Sequence, residues 1–115
     1  MALYHFYTTE QKAIFGQGVF KIDDSPSAPG GEFTAADVKG FFYKDREVKT
    51  FSQSDLREFS FVKDRFFSFR AEGHGCNITT DWAQPGEPGN VTTHGCDGDW
   101  DTGLKVTFPH IHGEE

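Results

Sequence analysis

The chain has 115 residues, a net charge of −7 and 36% apolar residues, with 13 Phe against only three Leu. That length supports one domain over residues 1–115, and acidity without a Lys/Arg run longer than a pair repels phosphate, so nucleic acid is not an expected partner. No apolar run approaches the ~20 residues of a membrane-spanning helix, so no transmembrane segment is expected.

Phe, with six Val and four Ile, suits a pleated, half-buried surface better than a Leu/Ala helical core, and 13 Gly and five Pro supply turns. Composition therefore predicts an all-β domain. The first residues, Met1-Ala-Leu-Tyr-His-Phe6, lack the charged-then-apolar pattern of a signal peptide. The chain therefore either stays inside the cell or begins after cleavage.

Leu3–Thr8 and Phe15–Ile22 read as the first two strands, the second kinked at Gly16-Gln17-Gly18. That GxG lacks a third Gly and a following helix pattern, so it is no nucleotide signature. The segment from Asp23 to Gly31 is dense in Ser, Pro and Gly and reads as a loop.

An internal repeat follows, spaced by 18 residues from Phe33 to Phe51. Phe33-Thr-Ala-Ala-Asp37-Val-Lys-Gly-Phe41 aligns with Phe51-Ser-Gln-Ser-Asp55-Leu-Arg-Glu-Phe59, and both copies continue to Lys-Asp-Arg, at 44–46 and 63–65. Thr34 and Ser52 stand three residues before Asp37 and Asp55, the spacing of a capping box around one helical turn. Each copy then predicts strand, turn and strand, with the copies as neighbouring hairpins of one sheet. Pairing Lys63 with Phe66 places Ser60, Val62, Phe67 and Phe69 on one face and Phe59, Phe61, Phe66 and Ser68 on the other. Both faces are then apolar and need cover. Asp-Arg suits a two-residue hairpin turn poorly, so a turn of three or four residues is the competing expectation.

The run Gly18-Val-Phe-Lys-Ile-Asp-Asp-Ser25, with Ser52-Gln-Ser-Asp-Leu-Arg-Glu-Phe-Ser-Phe61, resembles β-rich repeat modules of exported bacterial proteins. Those modules often precede a C-terminal sorting anchor. The likeness spans roughly Tyr4 to Arg70. It implies export and an all-β fold, and the family has no catalytic residues to carry over.

The last third holds His74-Gly75-Cys76-Asn-Ile-Thr-Thr80, mirrored by Asn90-Val-Thr-Thr-His94-Gly95-Cys96. A hairpin symmetric about Gly86 sets Cys76 opposite Cys96, with Cα atoms about 4.5 Å apart at a non-hydrogen-bonded site, within reach of a disulfide. Alternation adds Ile78, Thr80 and Trp82 to the Cys76 face. The competing reading is zinc held by His74, Cys76, His94 and Cys96, although this register separates the two histidines by about 13 Å along the strands. Free thiols are the third option. Asn77-Ile-Thr79 and Asn90-Val-Thr92 are glycosylation sequons whose meaning depends on a eukaryotic source.

Asp97, Asp99 and Asp101 alternate around Trp100, a spacing that could fold around calcium, yet Thr102 and Phe108 stand where an EF-hand-type loop needs Gly and an acid. With Trp82, these residues could instead bind a glycan, rings on the sugar face and carboxylates on its hydroxyls. His110-Ile-His112 offers either a metal pair or a frayed tail, the tail being the expectation. No nucleophile triad or hydrolytic acid pair is evident; any catalysis would use His5, His74 or His94 as base.

These readings predict an antiparallel β-sandwich or small β-barrel of about eight strands. The expected role is a non-catalytic, extracytoplasmic or secreted binding or structural module with one disulfide, Cys76–Cys96, and no cofactor. Two alternatives remain: a carbohydrate-binding module using Trp82, Trp100, Asp97, Asp99 and Asp101 with calcium, and a small barrel enzyme or carrier with a Phe-lined pocket and a histidine. The partner classes are accordingly a protein, a glycan or a small apolar ligand.

Overall fold

A computed structural model describes residues 1–23, 25–81, 84, 86–95 and 103–111. Its strands are β1 (Ala2–Glu10), β2 (Ala13–Ile22), β3 (Phe33–Thr34), β4 (Val38–Asp45), β5 (Thr50–Ser52), β6 (Leu56–Val62), β7 (Phe66–Gly73), β8 (Cys76–Thr80), β9 (Gly89–His94), β10 (Leu104–Val106) and β11 (His110–Ile111). They form one antiparallel curled sheet, a half-barrel, in the order β3-β6-β7-β8-β9-β10-β1-β2-β4-β5, with β11 added beside β1. The all-β expectation holds. The strand count exceeds eight because β3, β5 and β11 are two or three residues long, too short for alternation to reveal.

Local chemistry sets the turns. Gln11 and Lys12 both have positive φ, 51° and 70°, and His74 and Gly75 follow suit at 55° and 75°. Both pairs are two-residue links whose twist matches that of the flanking strands. His74-Gly75 thus closes the β7–β8 hairpin, where Gly73 faces Cys76.

Each repeat copy contains the expected capped turn. The Thr34 N–H donates to Asp37 Oδ2 at 2.8 Å around the 3₁₀ turn 35–37, and the Ser52 N–H donates to Asp55 Oδ2 at 2.8 Å around 53–55. The copies are not neighbouring hairpins, however. The first enters in β3 beside β6 and leaves in β4 beside β2; the second enters in β5 beside β4 and leaves in β6 beside β7. The two capped turns therefore carry the chain between opposite ends of the strand order, in opposite directions, and tie those ends together covalently.

Two predicted registers are corrected. The β6–β7 turn has three residues, Lys63-Asp64-Arg65, with Asp64 at φ 62°, so Val62 rather than Lys63 pairs with Phe66. This one-residue slip gathers Phe59, Phe61, Phe67 and Phe69 on the buried face and turns Ser60, Val62, Phe66 and Ser68 outward. One face needs cover, not two. In the β8–β9 pair, Asn77 meets His94 and Thr80 meets Val91, again one residue from symmetry about Gly86.

The core is a stack of aromatic rings filling the curl. Phe6 and Phe20 of β1 and β2 meet Phe67 and Phe59 of β7 and β6 at centroid separations of 5.0 Å, and Phe41 meets Phe69 at 5.1 Å. The predicted Gly16–Gly18 kink has a specific cause. β2 bulges at Phe15, between the Thr8–Gly16 and Thr9–Ile14 pairs. A Cβ on Gly18 would lie 2.1 Å from Phe6 Cζ, and one on Gly16 would lie 2.5 Å from the Tyr43 hydroxyl. The glycines let side chains of neighbouring strands lie directly over the β2 backbone.

Candidate functional site

Three places bring chemistry-bearing side chains together. The first is a cleft of about 370 Å³ at one end of the half-barrel, between the 45–49 loop and the His74-Gly75 turn. Glu47, Lys49, Phe51, His74, Cys76 and Gly95 line it. The loop is shaped by Asp45, whose Oδ1 accepts the N–H groups of Glu47 at 2.9 Å and Lys49 at 3.2 Å. Tyr43 donates its hydroxyl proton to Asp45 Oδ2 at 3.2 Å, leaving its oxygen to accept from Thr8 Oγ1 at 2.7 Å. Burial raises the Asp45 carboxyl pKa, and the N–H groups of Lys49 and Glu47 act the other way. Burial likewise pushes the Tyr43 hydroxyl well above its ordinary range. Lys49 lies almost wholly buried against Glu47. This polar network holds a loop; it aims no free base at the cleft.

Here the predicted metal quartet is placed in part. His74 is exposed in its turn, Cys76 is half-buried against the core, and His94 is exposed at the end of β9. Among the described residues these side chains make no group of three metal ligands. Cys96 lies outside the described residues, and no described cysteine is free. Gly95, at φ 77°, ends the alternation of β9, and a Cβ there would lie 2.5 Å from the Gly75 carbonyl oxygen. Side-chain direction beyond Gly95 therefore does not follow from the β8–β9 register. The proposed glycan or calcium residues Trp82, Asp97, Asp99, Trp100 and Asp101 also lie outside the described residues, as does His112.

The second place is the outer face of β2 and β4. Val19 pairs with Phe42 and Gln17 with Lys44, all facing away from the core. Ile14 is 55% exposed and Phe42 43%, on a cleft of about 460 Å³ that Val19, Lys44 and Arg46 also line. The Arg46 guanidinium lies 5.1 Å above the Phe15 ring, a cation–π seat that fixes one wall.

No family model, curated protein or solved structure matches this chain.

The third place joins two histidines that the sequence reading considered separately and no spacing connects. His5 on β1 and His110 on β11 are direct cross-strand partners, with their Nε2 atoms 2.5 Å apart. The described part of the segment expected to fray, His110-Ile111, is docked on β1, and Tyr7 and Thr107 anchor its approach. The Tyr7 N–H donates to Thr107 Oγ1 at 2.9 Å, and the Thr107 N–H donates to the Tyr7 carbonyl at 2.8 Å. The available signal was the apolar pair Phe108 and Ile111 flanking Pro109-His110, both of which pack on the core.

Proposed function

We propose that this chain is a non-catalytic, extracytoplasmic binding module that engages a protein partner through the outer face of β2 and β4. The exposure of Ile14 and Phe42 on one apolar cleft carries this reading. Apolar side chains scattered singly need no explanation, but two flanking a shaped cleft with Val19 form an anchor site. Lys44 and Arg46 at its rim favour a partner whose apolar anchor is flanked by acidic groups. The carrier alternative needs interior room, whereas Phe6, Phe20, Phe41, Phe67 and Phe69 pack ring on ring.

The test is an NMR titration of labelled protein with indole and, separately, with a medium-chain fatty acid. Indole-induced shifts concentrated on Ile14, Val19 and Phe42 support the outer site. Fatty-acid shifts concentrated on Phe6, Phe20 and Phe67 would replace it with the carrier reading.

The module is further proposed to contain a Cys76–Cys96 disulfide. The support is that Cys76 is not free and that the chain has one other cysteine. An intact mass two hydrogens below that of the reduced chain is the expected result.

A further inference from the structure

We propose that His5 and His110 form a binding site for a divalent first-row transition-metal ion, and that this ion clamps the C-terminal strand to β1. The site is distinct from the outer cleft and does not depend on it.

The geometry begins with the strand pairing. His5 and His110 occupy directly opposed positions on β1 and β11, so both rings project from the same face of the sheet. Their centroids are 4.1 Å apart with planes at 88°, and their Nε2 atoms face each other at 2.5 Å. Two protonated nitrogens cannot approach so closely. At least one presents a lone pair.

The second ring nitrogen of His110 is placed compatibly with a ligand role. Its Nδ1 lies 3.5 Å from the Phe108 carbonyl oxygen, which can only accept. A tautomer with its proton on Nδ1 would face this carbonyl and leave Nε2 as a donor of electrons. An imidazole whose distal N–H points at a backbone carbonyl while the other nitrogen is bare has the arrangement typical of a metal ligand.

The bite fits after a small adjustment. Two imidazole nitrogens bound at about 2.0–2.1 Å to one ion, at angles between octahedral and tetrahedral, stand about 2.9–3.4 Å apart. The rings must part by less than about 1 Å from their present separation, a side-chain adjustment open to the exposed His110 ring on the two-residue β11. Imidazole donors select zinc, copper and nickel over calcium or magnesium.

The backbone beneath the site is fixed independently of any ion. The reciprocal Tyr7–Thr107 bonds hold the approach to β11, and Ile111 packs on the core. A metal bridging β1 and β11 would therefore lock an already docked tail.

The experiment uses the full chain without an affinity tag, titrated with zinc chloride in a buffer free of chelators. A saturating concentration should raise Tm by roughly 5–10 °C, and this shift should vanish in both His5→Gln and His110→Gln. A double variant, His74→Ala with His94→Ala, should keep it. Long-range ¹⁵N NMR supplies a readout independent of folding: zinc should move the Nε2 resonances of His5 and His110 while leaving His110 Nδ1 protonated. No zinc-induced shift in the parent chain overturns the proposal, as does a shift that survives both glutamine variants or is lost with His74 and His94.

Discussion

Substituting Gly18 by Ala tests the aromatic packing at its tightest point. Gly18 pairs with Phe6 across β1 and β2, and its backbone is extended, so Ala costs little there as a backbone choice. The cost is steric. The new methyl would sit 2.1 Å from Phe6 Cζ, 2.4 Å from Cε1 and 2.6 Å from Cε2, against an ordinary carbon separation of about 3.5–4.0 Å. The ring must retreat by more than about 1 Å. It cannot do so freely, because Phe6 is fully buried, with Phe67 and Phe69 at 5.0 and 5.4 Å and Phe20, Phe41 and Tyr43 slightly farther. Overpacking of this kind costs about 3 kcal/mol, equivalent to a Tm roughly 12 °C lower in a domain of this size. Phe6→Ala alone should cost about 3–5 kcal/mol through the cavity it leaves. In that background the Gly18 methyl has room, so Gly18→Ala should then cost under about 1 kcal/mol, a coupling of at least about 2 kcal/mol. Denaturant unfolding of the four proteins measures the cycle. Additive costs, or a loss below about 1 kcal/mol for Gly18→Ala alone, would refute the argument that Phe6 occupies the glycine's side-chain space.

The other predictions are independent of that cycle. Asp37→Ala should lose about 1 kcal/mol by uncapping the first repeat turn. The N–H of Thr34 holds the Asp37 carboxyl below its ordinary 3.8, with burial opposing. The cap's contribution is therefore present above pH 3.8 and is lost as pH falls through the depressed folded value; parallel unfolding curves of the two proteins should converge in that range, and a constant gap would contradict the assignment. Thr93 is fully buried with no hydrogen-bond partner for its Oγ1 among the described residues, so Thr93→Val should gain about 1 kcal/mol in chemical denaturation. A loss there would show that the hydroxyl is bonded. Reduction of the proposed Cys76–Cys96 bond should lower stability by about 3 kcal/mol, read as a dithiothreitol-dependent drop in Tm that Cys76→Ala abolishes.

How much of this fold was legible is best judged from the repeat. Thr34/Asp37 and Ser52/Asp55 announce their turns because a cap is local: three residues decide whether the N–H groups find an acceptor. What the turns do to the chain is not local. Whether the segment after Asp37 folds back on its own strand or crosses to the far end of the strand order depends on where Phe41, Phe59 and Phe69 can be buried together. That requires knowing the sheet in advance. The β6–β7 register shows the same division at smaller scale. Phe59, Phe61, Phe67 and Phe69 are correct as core residues under either register, but only a three-residue turn puts all four on one face. Asp64 at positive φ makes that turn, and Asp tolerates the conformation well enough that its identity does not demand it.

The histidine pair lies beyond any local rule. His5 and His110 are 105 residues apart, and no spacing pattern connects them. The motif that did stand out, His74-Gly75-Cys76, owes its first two residues to hairpin geometry. His accepts positive φ more readily than most residues, and Gly accepts it freely, so the dipeptide forms a tight turn without help from metal or disulfide chemistry. The mirrored His94-Gly95 ends a strand through its own left-handed glycine. A conspicuous repeat of reactive residue types was thus partly a repeat of turn chemistry. The pair with the most ligand-like geometry arose instead between His5 and His110, which two reciprocal bonds between Tyr7 and Thr107 help bring alongside β1. For a sheet this curled, the order of strands creates neighbours that no window of sequence contains. The residues most informative about such neighbours are those, like Gly18 and Thr107, whose chemistry is spent on a partner strand.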